Sequence, residues 1–251
     1  MIPYERRQRM LQLLAEQEVV QLSDFLENLD NVSESTVRRD LKTLEAEGKI
    51  SLLRGGGATL CQNSYEAPVN SKSIQNVDAK ELIAKCAASY VKEGETIYLD
   101  AGSTTLRMVP HLKGKHVTII TTNILILQAI QEAGFSEQDV KCLVVGGDLL
   151  FRTASLVGMS TNDQLRMYYF DRAFIGISGV SMMAGFTTPD DREAAKKLIV
   201  RKNSRKTYVL ADSSKIGLTT LCHVFKLGEV YLITDVEDAG LKEYGNYIVA
   251  K

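Results

Sequence analysis

Apolar positions along this chain recur with two different periods, and the change of period divides it. In the first fifty-seven residues the period is helical. Met10, Leu11 and Leu14 share one face of a helix expected over Tyr4 to Glu16. Leu22, Phe25, Leu26 and Leu29 fall at i, i+3, i+4 and i+7, the signature of a second, short amphipathic helix. Val37, Leu41 and Leu44 mark the inner face of a third. Ser35, Arg38, Arg39 and Lys42 share its outer face, with Ser33 placed as N-cap and the end expected near Gly48. A short Ile50–Arg54 segment then runs into Gly55, Gly56 and Gly57. Small polar groups and arginines on one helix face, followed by a glycine-tipped hairpin, suit a DNA major groove and its flanking phosphates. The expectation is a winged helix-turn-helix over residues 1–57, with Ser35, Thr36, Arg38, Arg39, Lys42 and Arg54 toward DNA. The plainer alternative is a small helical domain with a solvated basic face. Asp40, nearer the apolar flank, is expected to pair with a neighbouring arginine rather than meet anionic DNA.

Residues 58–76 carry neither period and are rich in Asn, Ser and Gln, which predicts a linker. From Val77 onward short apolar runs alternate with helical stretches. Strands are expected at Thr96–Asp100, Val117–Thr121, Cys142–Val145, Ala173–Ile177, Thr207–Asp212, Val230–Thr234 and Tyr247–Ala250. Helices are expected at Lys80–Val91, from about Leu106, and at Ile124–Ala133, Leu156–Met167 and Glu193–Arg201. Apolar strands separated by helices imply an α/β domain over residues 77–251, with a mostly parallel sheet covered on both faces.

Small or polar groups close nearly every strand: Asp100 with Gly102–Thr105, Thr122–Asn123, Gly146–Gly147, Gly176 with Ser178–Gly179, and Asp212 with Ser213–Lys215. In open α/β sheets ligands bind beyond the carboxyl ends of the strands. The Gly102-Ser103-Thr104-Thr105 turn offers close backbone approach, hydroxyls and a helix start, which together make an anion cradle. It lacks the spacing and lysine of a nucleotide-binding P-loop.

Composition narrows the functional classes. With 251 residues and 45% hydrophobic side chains, the chain can fill more than one core. Net charge is −1, and the first fifty-seven residues hold eight Lys/Arg against ten Asp/Glu. DNA binding must therefore rest on where Arg38, Arg39, Lys42, Arg54 and the Arg6, Arg7, Arg9 group sit, not on bulk charge. Cys61, Cys86, Cys142 and Cys222 are scattered without metal-ligand spacing, so free, buried thiols and no metal or cofactor are expected. No leader pattern opens the chain and no apolar run reaches membrane-spanning length, which predicts a cytoplasmic protein.

With these motifs in order, the chain resembles the DeoR family of bacterial transcriptional repressors over almost its whole length. The family's VSxxTIRRDL pattern is here Val32-Ser33-Glu34-Ser35-Thr36-Val37-Arg38-Arg39-Asp40-Leu41. Further matches are Asp100–Thr105, Thr122–Asn123, Gly146–Gly147, Ser155–Gly158, Gly176–Gly179, the Glu193/Lys197 pair and Asp212–Lys215. The resemblance implies a second domain similar to ribose-5-phosphate isomerase that senses a phosphorylated sugar. It places the phosphate at Gly102–Thr105 and makes Asp100, Thr122, Asn123, Gly146, Gly147, Gly179, Glu193, Lys197, Asp212 and Lys215 effector-site candidates. One short DNA-binding module buries too little surface for tight specific binding, so a homodimer or homotetramer on paired operator half-sites is expected. The chain departs from the pattern at the wing, where Leu53-Arg54-Gly55-Gly56-Gly57-Ala58 replaces RxHGGA. The turn before Val32 is one residue longer, and Ile216 stands where phenylalanine is common.

The same residues admit plainer roles. Asp100 and Asp212 could cap the elements that follow them, and Glu193 with Lys197 could be a surface i, i+4 pair. An enzyme is the other functional class: a sugar-phosphate isomerase with an accessory N-terminal module and Glu193 as its base. Against it, Gly176-Ile177-Ser178-Gly179 replaces the lysine-and-glycine run of those isomerases.

Overall fold

The computed structural model describes residues 2–17, 19–29, 32–46, 49–53, 56–60, 69–136 and 138–251. The chain divides into two compact units, Met1–Asn63 and Ser64–Lys251.

The first unit holds α1 (Pro3–Glu16), α2 (Leu22–Asn28) and α3 (Glu34–Ala46), then β1 (Ile50–Leu52) and β2 (Ala58–Leu60). The helical spacing read from the sequence puts Met10, Leu11, Leu14, Phe25, Leu29, Val37, Leu41 and Leu44 into one core with Val20, Ile50 and Ala58. Ser33 caps α3, its Oγ accepting from the Thr36 amide at 3.3 Å. Strands β1 and β2 pair antiparallel, Ile50 with Leu60 and Leu52 with Ala58. Val20 adds a bridge to Ala58, with amide-to-carbonyl bonds of 3.0 and 2.9 Å. Ala58–Leu60 thus belongs to the wing and not to a linker. Its three residues carry no periodicity of their own and become a strand only through their partners. Gly48, Arg54 and Gly55 lie outside the described residues, as do residues 61–68 of the expected linker, and Val69–Ser73 within that stretch is a helix packed on the second unit.

The second unit contains α4 (Val69–Ser73), α5 (Val77–Ser89), β3 (Thr96–Leu99), α6 (Ser103–Arg107), β4 (Val117–Thr121), α7 (Ile124–Glu132), β5 (Val140–Val144), β6 (Asp148–Leu150) and β7 (Ser155–Val157). It continues with α8 (Met159–Arg166), β8 (Phe170–Gly176), β9 (Gly179–Ser181), β10 (Gly185–Thr188), α9 (Asp191–Lys202), β11 (Ser204–Leu210), β12 (Cys222–Phe225), β13 (Tyr231–Thr234), α10 (Ala239–Lys242) and β14 (Tyr247–Val249).

Seven strands form one sheet in the order β14-β13-β11-β8-β3-β4-β5, and every neighbouring pair is parallel. The sheet separates two cores. One gathers Tyr98, Phe170, Ile175, Val209 and the α8–α9 side, and the other gathers Ile97, Leu99, Phe174, Leu210 and the α5–α7 side. The covered parallel sheet is the arrangement the sequence predicted. The strand order reverses between β3 and β8, and such a switch point opens a crevice at the carboxyl ends of those strands.

The sequence misjudged several local stretches. Leu156–Met167 is not one helix: Ser155–Val157 pairs antiparallel with Asp148–Leu150, and the helix starts only at Met159. Gly158 at φ +109° separates the two. The helix expected from Leu106 begins at Ser103. A second sheet, β12-β10-β9, was invisible because its three- and four-residue strands are too short for a two-residue alternation to stand out. Cys86, Cys142 and Cys222 are free but half-buried.

Candidate functional site

On α3, Val37, Asp40, Leu41 and Leu44 are buried, while Ser35, Arg38, Arg39 and Lys42 are exposed and Thr36 is half-buried. Asp40 is locked inside the unit by Arg6, whose Nε lies 2.5 Å from Oδ2. Arg6 is therefore a strut between α1 and α3, not part of an outward basic group. Arg38 donates to Glu34 Oε1 at 2.8 Å, and both side chains remain more than half exposed. A pair so solvated is worth little and yields readily to a phosphate. Ser33 Oγ touches the hydroxyls of Ser35 at 3.0 Å and Thr36 at 2.8 Å, so the start of α3 presents a hydroxyl cluster.

The second site lies at the switch point. Its wall takes Ala101–Thr104 from the turn after β3, Gly176–Ser178 from the end of β8, Ala211, Asp212 and Lys215 beyond β11, Thr188 at the end of β10, and Glu193 with Lys197 from α9. Val69 and Lys72 of α4, Lys80 of α5, Thr153 and Leu210 complete it. Gly176 lets the strand ends approach closely: a Cβ there would lie 3.0 Å from the Ala101 carbonyl.

Behind this wall sits a quartet of buried charges. Asp190 caps α9, accepting from the Arg192 amide at 2.9 Å and the Glu193 amide at 3.3 Å. The cap sets the phase that turns Glu193, Lys196 and Lys197 inward together. Lys197 Nζ lies 2.5 Å from Asp100 Oδ2 and 3.1 Å from Glu193 Oε2. Lys196 Nζ lies 3.0 Å from Glu193 Oε2 and 3.6 Å from Asp100 Oδ1, and donates to Ser155 at 2.5 Å and Thr122 at 3.0 Å. Tyr98 donates to Asp100 Oδ1 at 3.2 Å. Two carboxylates and two ammonium groups cancel, which is how four charges persist away from water. Burial alone would raise the Glu193 carboxyl, but the charges of Lys196 and Lys197 hold it far below the usual range. Burial likewise works against the Lys197 ammonium, and Asp100 and Glu193 more than restore it. Among the described residues, Glu193 Oε1 has no hydrogen-bond partner.

At the opposite end of the pocket, burial lowers the Lys80 ammonium to about 8, partly countered by Asp212 and reinforced by Lys215, Arg107 and Lys72. Burial would raise Asp212, yet Lys215, the Ser214 hydroxyl and Lys80 bring it below the ordinary carboxylate value. Across the wall, Lys72, Lys80, Lys197 and Lys215 face only two carboxylates, Glu193 and Asp212. Such a pocket favours an anion that also carries hydroxyl donors.

Of the sequence's effector candidates, Gly102, Ser103, Thr104, Glu193, Lys197, Asp212 and Lys215 come together in this wall. Asp100 stands directly behind it, fully buried. The others serve the framework. Thr105 Oγ1 donates to the carbonyls of Asp100 and Gly102, and Thr122 is taken by Tyr98 and Lys196. Asn123 caps α7 by accepting from the Leu125 amide at 3.0 Å. Gly146 accepts from Thr161, and Gly147, at φ +153°, sits where a Cβ would lie 1.9 Å from Thr161 Oγ1. Gly179 lies in β9, outside the wall. Asp212 also has the capping role, accepting from the Ser214 amide at 3.0 Å, and the Glu193–Lys197 pair is real but buried. Arg54 falls outside the described residues. Sequence reasoning missed Lys80, Lys196, Lys72 and Thr188. Lys196 and Lys197 were two adjacent lysines of which only one matched a motif, although i+3 and i+4 both return to the face of Glu193.

A winged helix followed by a parallel-sheet domain with a charged switch-point pocket defines a DNA-binding regulator with a sensor domain. The family models agree: a DeoR-like helix-turn-helix domain matches residues 6–63, and the DeoR C-terminal sensor domain matches residues 75–236. The chain belongs to the DeoR family of transcriptional regulators. It is 36% identical to the HTH-type transcriptional regulator FruR of Bacillus subtilis, over 100% of this chain and 98% of that one. It is 32% identical to the HTH-type transcriptional regulator GlpR of Haloferax volcanii, over 94% and 91%. Among solved structures, ribose 5-phosphate isomerase A of Methanocaldococcus jannaschii matches 57% of this chain and 55% of its own, with 22% identity and a TM-score of 0.41. Among the described residues no helix is long and apolar enough to cross a membrane.

Proposed function

We propose that this regulator is a repressor of a sugar-utilisation operon, and that a phosphorylated sugar in the switch-point pocket releases it from DNA. The observation that carries the reading is the pocket's charge: four lysines against two carboxylates, with the Ser103 and Thr104 hydroxyls at the turn. A phosphate suits the Lys80, Lys215 and Gly102–Thr104 end. A sugar hydroxyl suits Glu193 Oε1, an acceptor that has no partner among the described residues. DNA is held by the outer face of α3, with Arg38, Arg39 and Lys42 on phosphates or base edges. One such module buries too little surface for tight specific binding, so the chain works as a homodimer or homotetramer on paired half-sites in the cytoplasm. A hundredfold loss of operator affinity requires about 2.7 kcal/mol of coupling between the sites.

The test is thermal unfolding with inorganic phosphate and with pentose, hexose and triose phosphates. A sugar phosphate at about 100 times its Kd adds about 2.7 kcal/mol of stability. Gly102→Glu places a carboxylate at the turn and should abolish that gain while operator binding persists. A variant still stabilised and released at the wild-type concentration would put the phosphate elsewhere. Turnover of any of these compounds would instead favour the isomerase reading.

A further inference from the structure

Val69 and Lys72 of the pocket wall belong to a short strap, Val69–Asn76, made of α4 and the turn into α5. Val69 is the first described residue after the segment 61–68. The strap is thus the first described part of the sensor unit, which begins in sequence at Ser64.

What fastens the strap is unusual. Lys80 Nζ donates to two of its carbonyls, Lys72 O and, at 2.7 Å, Gln75 O. Arg107 Nη2 donates to Ser73 O at 2.9 Å, and the Val69 amide donates to Arg152 O at 2.7 Å. Asn76 stands in the left-handed region at φ 50°, a conformation asparagine tolerates better than most residues. Its Nδ2 donates to Asp212 Oδ1 at 3.0 Å. Two of these fasteners, Lys80 and Asp212, are charged groups of the pocket wall itself. An ammonium has three N–H donors, and the two carbonyls take two of Lys80's.

We infer that Val69–Asn76 is the element through which the pocket reports its ligand, with Lys80 and Asn76 as the positioning residues that couple the two. This rests on the pocket reading proposed above. An anion taking the third N–H of Lys80 favours the ammonium and strengthens its bonds to the Lys72 and Gln75 carbonyls. Asn76 fixes the same strap to Asp212, at the same end of the pocket as Lys80. Ligand binding therefore pins the strap, and the covalent chain carries that ordering toward the DNA-binding unit.

The proposal is tested on the full-length protein by hydrogen exchange at the amides of residues 69–80, with and without inorganic phosphate. Phosphate should slow exchange there by about tenfold, the mark of a local opening made rarer. Asn76→Asp keeps the side-chain size but removes the donor and sets a carboxylate against Asp212. It should bind the sugar phosphate that most raises the wild-type melting temperature with little change in Kd, yet need about tenfold more of it to release operator DNA. Lys80→Met should lose both binding and release. Unchanged exchange in phosphate-saturated wild-type protein overturns the inference, and so does Asn76→Asp releasing DNA at the wild-type concentration. If Asn76→Asp does not fold, the wild-type exchange measurement decides alone. A wild-type chain that neither phosphate nor any sugar phosphate stabilises sinks the pocket reading as well.

Discussion

At the scale of single residues, what separates the two sites is water. Arg38 and Arg39 are exposed, and nothing in the core depends on them. Replacing both with Ala should abolish operator binding while leaving the melting temperature within a degree or so, because solvated side chains contribute little to stability. The salt dependence of any residual binding should flatten by about 0.9 in log–log slope for every phosphate no longer neutralised. Gel shift across a salt series checks this, and wild-type affinity in the double variant would remove α3 from the interface. Lys196 is the opposite case, fully buried and bonded to Thr122, Ser155 and Glu193. Lys196→Met preserves the aliphatic stem but leaves Asp100 and Glu193 facing one ammonium. Breaking a buried ion network from one side costs about 3–5 kcal/mol, readable by urea denaturation.

At the scale of elements, α9 is the one on which the pocket depends. Its cap, Asp190, holds the first turn, and Asp190→Ala should cost about 1 kcal/mol while disturbing Glu193 next to it. The helix also sets a pH response. The folded Glu193 carboxyl titrates lower than the unfolded one, so the folded state binds fewer protons there. That contribution is present above the ordinary value of 4.5 and fades as pH falls below it. Lys197 is raised, so its contribution is complete below the ordinary 10.5 and is lost only above that. The sensor unit should therefore keep this stabilisation across neutral pH and lose it on acidification. In Lys196→Met the acid-dependent part of the stability should shrink, since a main cause of the depressed Glu193 value is gone. Urea unfolding followed by circular dichroism at a series of acid pH values would show an unchanged pH dependence if the quartet were not coupled in this way.

At the scale of the whole molecule, the cores do not mix. The residues around Met10, Phe25 and Leu44 lie in the first unit, and the two clusters flanking the parallel sheet lie in the second. Calorimetry should resolve two transitions. Leu44→Ala, at a fully buried position, should lower only the first unit's stability, by about 2–5 kcal/mol. A stabilising sugar phosphate should raise only the second. A single transition that moves with both perturbations would show that the units unfold as one.

The sequence by itself determined what depends on neighbours along the chain. The helical spacing of Val37, Leu41 and Leu44 fixed which way Arg38 and Arg39 point, and the apolar runs from Thr96 to Tyr247 fixed a covered parallel sheet. The order of small and polar groups at strand ends marked where a pocket should form. Tertiary structure alone decided which of those groups reach it. Thr122, Asn123, Gly146 and Gly147 end strands as Asp212 does, yet packing commits them to caps and close contacts elsewhere. The strands β6, β9, β10 and β12 and the wing strand Ala58–Leu60 were hidden for a related reason: segments of three or four residues are too short to display a period and are defined by the strands they pair with. Lys80 was hidden most completely. On its own helix it is one more polar residue, and only the fold brings it to Asp212, Arg107 and the carbonyls of Lys72 and Gln75. Charge and hydrogen bonding act through space, so they become legible only when the chain has closed on itself.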